Sequence, residues 1–231
     1  MPPGPRRLSL APSLLSADFA ALGDAVRACE AGGADAFHLD VMDGHFVPNL
    51  SFGPALVAAV RAHTKRPLDV HLMIEEPLRY VEAFRAAGGD HLVFHLESRS
   101  DPTAVIERIH ALGARAGIAI KPETPLDAVG PFLPELDEVM VMGVHPGFSG
   151  QSFLDSALPK LAEARRRVDA LGRDVEVAID GGITNATAAA CAAAGARFFV
   201  CGQSVFGAGP IDRNLAGLRH AVEEGAARAV P

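Results

Sequence analysis

Residues 11–19 read APSLLSADF and follow directly on a short apolar run, Leu8–Leu10, that reads as a strand. This first turn decides between two architectures. An open, doubly wound sheet that binds a dinucleotide carries GxGxxG between its first strand and first helix, because glycines let the backbone approach the pyrophosphate. The turn here holds no glycine, which points to the other parallel α/β architecture, a closed (β/α)8 TIM barrel. The chain beyond the turn agrees with that choice. Runs rich in β-branched and large apolar residues alternate with longer segments of helical period, and eight runs are candidate strands: Leu8–Leu10, Ala36–Asp40, Leu68–Leu72, His91–His95, Ala116–Ile120, Glu138–Met142, Glu176–Ile179 and Phe198–Cys201. Helical segments are expected between all of them. In Leu158–Leu171, for example, Leu158, Leu161, Val168 and Leu171 share one face while Glu163, Arg165, Arg166 and Arg167 turn outward. Eight βα units in 231 residues fit one such barrel, which takes about 250 residues and fewer when loops are short.

No linker, charge block or low-complexity tract divides the chain, so a single catalytic barrel over residues 8–224 is expected, with Met1–Arg7 and Gly225–Pro231 as frayed ends. A weak repeat, AGGADAF (31–37), AAGGDHLVF (86–94) and AAGARFFV (193–200), places glycine at the end of a helix just before a strand, which backbone geometry alone explains. The composition is 49% hydrophobic and 21% charged, enough apolar material for one large core. Lys+Arg 21 against Asp+Glu 28 gives a net charge of −7, which leaves no basic field for a nucleic-acid backbone. Neither a secretory signal nor a membrane span is read. The most apolar stretch, Ala186–Cys201, is interrupted by Thr187, Gly195 and Arg197. The three cysteines, Cys29, Cys191 and Cys201, are widely spaced and read as buried hydrophobes in a reducing cytoplasm.

In such barrels chemistry sits at the C-terminal ends of the strands. The second strand runs into HLDVMDGHFVPN, where His38, Asp40 and Met42 are spaced i, i+2, i+4 and share one side of an extended chain. Both sides of a parallel barrel strand are normally apolar, and an unpaired histidine or carboxylate there costs several kcal/mol. The third strand repeats the device in DVHLM with His71 and Met73, and the seventh ends AID with Asp180. His38, Asp40, His71 and Asp180 therefore form a two-imidazole, two-carboxylate set at one mouth, suited to one divalent metal ion. Nitrogen and oxygen donors without thiolate favour Zn²⁺ and also serve Fe²⁺, Mn²⁺ or Co²⁺. The remaining histidines, 45, 63, 91, 95, 110, 145 and 220, lack this convergence and are expected mostly at the surface or beside the site; His95, with Glu97 at i+2, stands between a core and an exposed role.

Three glycine turns, PGFSGQ (146–151), DGGI (180–183) and CGQS (201–204), follow the last three strands without a Lys or Arg among them. They suit a phosphate held by backbone N–H groups. Met42, Met73 and Met142 lie at or beyond strand ends, either as gap-filling core or as a soft apolar cover over a reacting carbon.

The strings APSLLSADF, HLDVMDGHFVPN, DVHLMIEEP, VMGVHPGFSGQSF and AIDGGI, in this order from about Leu8 to Phe206, resemble the ribulose-phosphate 3-epimerase family. The resemblance implies a TIM barrel that interconverts D-ribulose 5-phosphate and D-xylulose 5-phosphate, with one divalent metal on His38, Asp40, His71 and Asp180. It also implies that Asp40 and Asp180 are the acid/base pair. Substrate contacts would come from Ser13, His71, Gly147, Phe148, Ser149, Gly150, Gly181, Gly182, Gly202 and Gln203, with Met42, Met73 and Met142 around the reacting carbon. This chain departs from the family at four positions: Ser149 for Gly, Gly143 for Ser or Thr, His145 for Asn or a carboxylate, and Gln203 for Ser. The departures border the phosphate end and bear on substrate choice. The chemistry implied is coherent. Inverting a carbon beside a ketone needs acid/base groups on opposite faces, and a carboxylate base needs a Lewis acid to stabilise the enediolate. An epimerase of a longer ketose phosphate, such as D-allulose 6-phosphate, would share these residues. A non-catalytic phosphosugar-binding barrel would have no use for both aspartates. The expected partner is a small pentulose phosphate, without nucleic acid or membrane, and a homo-oligomer is compatible with the sequence.

Overall fold

The computed structural model describes residues 7–228. Its strands are β1 (Ser9–Pro12), β2 (Phe37–Met42), β3 (Leu68–Met73), β4 (His91–His95), β5 (Arg115–Ile120), β6 (Glu138–Met142), β7 (Glu176–Asp180) and β8 (Phe198–Cys201). All pair in parallel in the order β1-β8-β7-β6-β5-β4-β3-β2. The remaining seam, β1 against β2, is closed by a parallel bridge between Ser13 and His38. Lower on that seam the Asp35 N–H donates to the Leu10 carbonyl at 2.9 Å, and the Asp35 carboxylate accepts from the Leu10 N–H at 2.9 Å. The helices are α1 (Leu22–Ala31), α2 (Pro54–Arg61), α3 (Val81–Ala86), α4 (Pro102–Ala111), α5 (Ala157–Leu171), α6 (Asn185–Ala193), α7 (Gln203–Phe206) and α8 (Ile211–Ala227). The eight-stranded (β/α)8 barrel read from the sequence is the fold, and each strand begins and ends within two residues of its expected bounds. The helix-to-strand glycines of the repeat, Gly33, Gly88 and Gly195, all have positive φ, of 90°, 109° and 106°.

Three expectations are corrected. Between β5 and β6 there is no α-helix, only two 3₁₀ turns at Leu126–Val129 and Leu133–Glu135. Pro122, Pro125, Pro131 and Pro134 crowd that segment, and each removes a donor and blocks a helical turn. On α5 the buried residues are Ala157, Leu161, Ala164 and Val168, while Leu171 is 38% exposed. Arg165, expected outward, is largely covered and lies against Gly195 while pairing with Asp169 at 2.8 Å. The C-terminal fray expected from Gly225 is replaced by helix through Ala227, because Gly225 is buried where α8 crosses α6. A Cβ at that position would lie 2.1 Å from the Ala189 carbonyl oxygen. Residues 1–6 and 229–231, where fraying was also expected, lie outside the described residues.

Alternation along each strand divides two cores. Outward residues such as Leu10, Phe37, Leu39, Val70, Ile118, Val141 and Phe199 join the large apolar layer under the helices. Inward residues fill the lumen, where Met140 and Phe198 interleave with Ala11, Ala36, Ala119 and Ala178. At the N-terminal end of the lumen the filling turns polar. Asp69, His91 and Glu138 are buried there, at 0%, 8% and 1% exposure. Gly117 on β5 makes the room, since a Cβ on it would lie 2.8 Å from Val93 Cγ2 and 3.2 Å from Glu138 Cβ. His91, expected at the surface or beside the site, is thus a lumen residue at the opposite end.

Burial, reinforced by the charge of Asp69, pushes the Glu138 carboxyl up to about 7. Burial opposes charge on His91, but Glu138, with an oxygen 3.6 Å from its Nδ1, more than offsets this and raises its pKa. Both groups hold protons more tightly folded than unfolded, so stability falls as pH rises from the ordinary carboxylate range through about 7 for Glu138, and above the ordinary imidazole value for His91. Glu138→Gln should unfold at a higher temperature than the wild type at pH 8, by about 1–3 kcal/mol in stability at roughly 1.4 kcal/mol per pKa unit, with the difference vanishing near pH 5. A pH-independent difference in thermal unfolding would show that Glu138 is not the group responsible.

Candidate active site

The C-terminal ends of β2, β3 and β7 bring His38, Asp40, His71 and Asp180 together as the sequence spacing predicts. The i, i+2 residues of β2 and β3 face the lumen, and the register places Asp40 beside His71. One donor atom from each of the four lies within 4.8 Å of every other. His38 Nε2 is 3.3 Å from Asp40 Oδ1 and 3.9 Å from Asp180 Oδ2, and His71 Nδ1 is 3.4 Å and 3.5 Å from the same two oxygens. A tetrahedral ion with bonds of about 2.0–2.1 Å separates its ligands by roughly 3.3 Å, so the cluster is compatible with one divalent metal ion. Among the described residues no Lys or Arg is ion-paired with either aspartate. The two imidazoles are the groups placed to offset that negative charge. Burial disfavours a charged imidazole, yet Asp40 and Asp69 hold His38 well above its ordinary pKa, and Asp180 and Asp40 raise His71. Burial pushes Asp40 the other way, and the two imidazoles override it, keeping that carboxyl well below the usual range.

Each ligand-like imidazole is held from behind. His38 Nδ1 donates to Asp69 Oδ2 at 2.6 Å, which leaves Nε2 for the centre. His71 Nε2 meets His95 Nε2 at 3.0 Å, and His95 Nδ1 in turn meets Glu97 Oε2 at 3.1 Å. Such partners fix ring orientation in metal sites. His95 is therefore a buried neighbour of the site, fully covered, and burial together with the charge of His71 pushes its pKa down to about 4. Asp69 was missed in the sequence, although its signal is present: it lies two residues before His71 and shares its side of β3. A second buried cluster, Asp69, His91 and Glu138, lacks this arrangement. Arg115 Nη1 donates to His91 Nε2 at 3.3 Å, so the proton of a neutral His91 sits on the Nδ1 that faces Glu138, where a ligand would need a lone pair.

Above the four residues opens a cavity of about 410 Å³. Ser13 donates to Asp40 Oδ2 at 2.6 Å from its wall. Met42, Met73 and Met142, at 4%, 1% and 2% exposure, are core residues and line the cavity as well. Gly147, Phe148, Ser149, Gly150, Gly181, Gly182, Gly202 and Gln203 all border it. Gly181 and Gly182 have φ of 105° and 68°. A Cβ on the first would lie 2.4 Å from Val144 Cγ2, and one on the second 2.7 Å from the Phe153 nitrogen. Among the described residues no Lys or Arg lines the cavity. Two hydroxyls that the sequence reading passed over, Ser16 and Ser204, line it with buried, unpartnered oxygens. Both lie inside quoted strings, APSLLSADF and CGQS, but only the fold brings them together.

The family model for the Ribulose-phosphate 3 epimerase family matches residues 9–206. The chain belongs to that family. It is 48% identical to the ribulose-phosphate 3-epimerase of Bacillus subtilis over 201 residues, covering 87% of this chain and 93% of that one. It is 43% identical to the Synechocystis ribulose-phosphate 3-epimerase over 217 residues, 93% and 94% of the two chains. Among solved structures, a 3-hexulose-6-phosphate synthase superposes with TM-score 0.67 at 18% identity, covering 93% and 99%. A thiamine phosphate pyrophosphorylase from Pyrococcus furiosus gives 0.65 at 17%, covering 94% and 96%. At those identities the likeness concerns the fold alone.

The four departures from the family pattern fall into place as geometry. Gln203 is exposed at the start of α7 and borders the cavity, with its amide oxygen toward Gly207 and its Cγ 3.6 Å from where a Cβ on Gly150 would lie. Ser149 is exposed in a turn closed by Gln151, whose side-chain amide donates to the His145 and Phe148 carbonyls at 2.7 and 2.9 Å. His145 pairs with Glu123 at 2.5 Å on the surface. Gly143 is the constrained one. Its N–H donates to the Asp180 carbonyl at 2.6 Å, and a Cβ there would lie 2.5 Å from the Gly181 carbonyl oxygen and 2.8 Å from Phe153. Gly143→Ser should lower stability by about 1–3 kcal/mol through overpacking, and the shift it forces on Asp180 and Gly181 should lower turnover as well. Thermal unfolding and steady-state kinetics indistinguishable from wild type would show that the β6–β7 turn yields more freely.

Proposed function

We propose that the chain interconverts D-ribulose 5-phosphate and D-xylulose 5-phosphate by moving a proton at C3, with one divalent metal ion, Zn²⁺ favoured, on His38, Asp40, His71 and Asp180. One observation carries the reading: two carboxylates on β2 and β7 face each other across paired imidazoles at the floor of a cavity whose far end is lined by glycine turns. When bound, the ion supplies Lewis-acid stabilisation for negative charge developing on the substrate oxygens. The chain does the rest. An ionised aspartate on one side removes the C3 proton while the other, protonated, delivers one to the opposite face, and the two exchange roles for the reverse reaction. Ser13 donates to Asp40 Oδ2, which aims the other oxygen of that carboxylate inward. Met42, Met73 and Met142 exclude water from the reacting carbon without offering a competing proton.

Phosphate recognition without Lys or Arg falls to backbone N–H groups of Gly147, Gly150, Gly181, Gly182 and Gly202 and to the Ser16 and Ser204 hydroxyls, whose oxygens are buried and unpartnered. Gln203 lies beside Gly150 at the rim of that cradle, and the five glycines remain to hold the phosphate. The buried thiols, with Cys29 and Cys191 pushed up to about 12 by burial, suit a reducing cytoplasm. No helix among the described residues is long and apolar enough to cross a membrane.

The test is epimerisation of ribulose 5-phosphate in deuterated solvent. Deuterium should enter C3. A chelator should abolish turnover, and Zn²⁺, Mn²⁺, Fe²⁺ or Co²⁺ should restore part of it. Asp40→Asn and Asp180→Asn should each cost at least about 10²–10⁴-fold in kcat, the scale of one general acid/base group. Full activity in rigorously metal-free protein would remove the metal from the reading. A near wild-type rate in Asp180→Asn with metal bound would leave Asp180 a ligand only. A higher kcat/KM on allulose 6-phosphate than on ribulose 5-phosphate would change the substrate and leave the reaction type standing.

A further inference from the structure

The donors and acceptors behind His71 admit one arrangement of protons. The Lys121 backbone N–H, at 2.8 Å, and the Thr124 hydroxyl both end on Glu97 Oε1. The other oxygen, Oε2, lies 3.1 Å from His95 Nδ1, and His95 Nε2 lies 3.0 Å from His71 Nε2. A carboxylate can only accept, so neutral His95 carries its proton on Nδ1 and presents a bare lone pair at Nε2. Two bare nitrogens at 3.0 Å would repel. His71 must therefore hold a proton on Nε2, so that as a neutral ligand, its second proton given up, it offers its lone pair at Nδ1, 3.4 Å from Asp40 and 3.5 Å from Asp180.

We propose that Glu97, which touches neither substrate nor metal ligands, is a positioning residue that sets, through His95, which nitrogen of His71 faces the metal centre. The inference rests on the reading of His71 as a ligand through Nδ1. It makes a specific claim about a nearly isosteric change. In Glu97→Gln the Lys121 N–H still requires an acceptor at the Oε1 position, because a backbone donor cannot turn away. The amide oxygen of the glutamine must sit there, so its NH₂ faces His95 Nδ1. That nitrogen then has to accept, and the His95 proton moves to Nε2. It now points at His71 Nε2, which becomes the acceptor, and the His71 proton moves to Nδ1, into the centre where the lone pair is needed. Reversing one amide thus reverses two imidazoles. Glutamine at position 95 breaks the chain of dependence. Its carbonyl oxygen occupies the place of His95 Nε2 and accepts from His71 Nε2–H whatever stands at position 97.

Zn²⁺ titration of chelator-treated protein by calorimetry tests this in three proteins: wild type, Glu97→Gln, and Glu97→Gln combined with His95→Gln. Zn²⁺ affinity should fall in Glu97→Gln by about 10–100-fold, the usual effect of losing such a partner, and return to within a few-fold of wild type in the double variant. A role of Glu97 in the fold alone would leave the double variant no better than the single one, and that result, or an unchanged affinity in Glu97→Gln, overturns the proposal. Imidazole NMR of zinc-loaded wild type provides a readout that needs no variant. Protons on His71 Nε2 and His95 Nδ1 are expected, and a proton on His71 Nδ1 sinks the idea even if the variants fail to fold. Wild-type protein that binds no Zn²⁺ would overturn the metal reading itself, which is separable because the titration without any substitution already shows it.

Discussion

Two carboxylates with little access to water, facing one another without a Lys or Arg between them, are the constraint on which the upper half of this barrel depends. Asp40 is 5% exposed and the Asp180 side chain 13%, and like charges so placed are unfavourable unless positive charge is built in beside them. The built-in charge comes from two imidazoles, each wedged between the carboxylates and a further acceptor. His38 is held by Asp69, and His71 by His95 and Glu97. The compensation is conditional: imidazoles that carry protons in the metal-free protein can yield them to a cation, which arginines could not do. A site built with permanent cations would be more stable empty and useless for holding a metal.

The same constraint explains why lumen packing changes along the barrel axis. The middle is alanine, valine, methionine and phenylalanine, an apolar plug that separates two polar ends. Asp69 reaches across that division, with one oxygen on His38 and the other facing the His91 and Glu138 end, where it has no hydrogen-bond partner. Burial raises the pKa of the neighbouring Glu138, and the charge of Asp69 adds to the effect. Part of the pull that retains a proton at the lower end therefore comes from the carboxylate that also holds His38 at the upper one.

Much of this was legible in the sequence, for identifiable reasons. The parity of His38, Asp40 and Met42, repeated at His71 and Met73, is a local property of an extended chain and survives any error in strand bounds. The absence of glycine in APSLLSADF separates two folds by the chemistry one of them requires. Features that depend on which strands lie side by side were not legible. Asp69 carries the right parity, but its role appears only when β3 is set beside β2. Ser16 and Ser204 line one cavity because β8 closes next to β1. The missing helix between β5 and β6 is a different failure: four prolines announced it, and the expectation of regular alternation outweighed them. Arg165 and Leu171 show the limit of helical periodicity, since a long side chain can lie flat over a glycine and an apolar one can end a helix in water.

Barrel closure and the candidate site share residues in this chain. β1 and β2 stand at the two ends of the strand order, and their seam is bridged at its upper end by Ser13 and His38, with the Ser13 hydroxyl continuing onto Asp40. A strand pairing slipped by one residue would turn His38 and Asp40 outward into the apolar layer under the helices and put Leu39 into the lumen, at the cost of two buried, unpaired polar groups. The polar residues of the site therefore enforce register at the place where backbone hydrogen bonds are sparsest. A TIM barrel generally separates residues that stabilise it from residues that act. Here Ser13 and His38 both close the β1–β2 seam and border the candidate site, so a loss of activity on substituting either needs a measurement of the fold beside it.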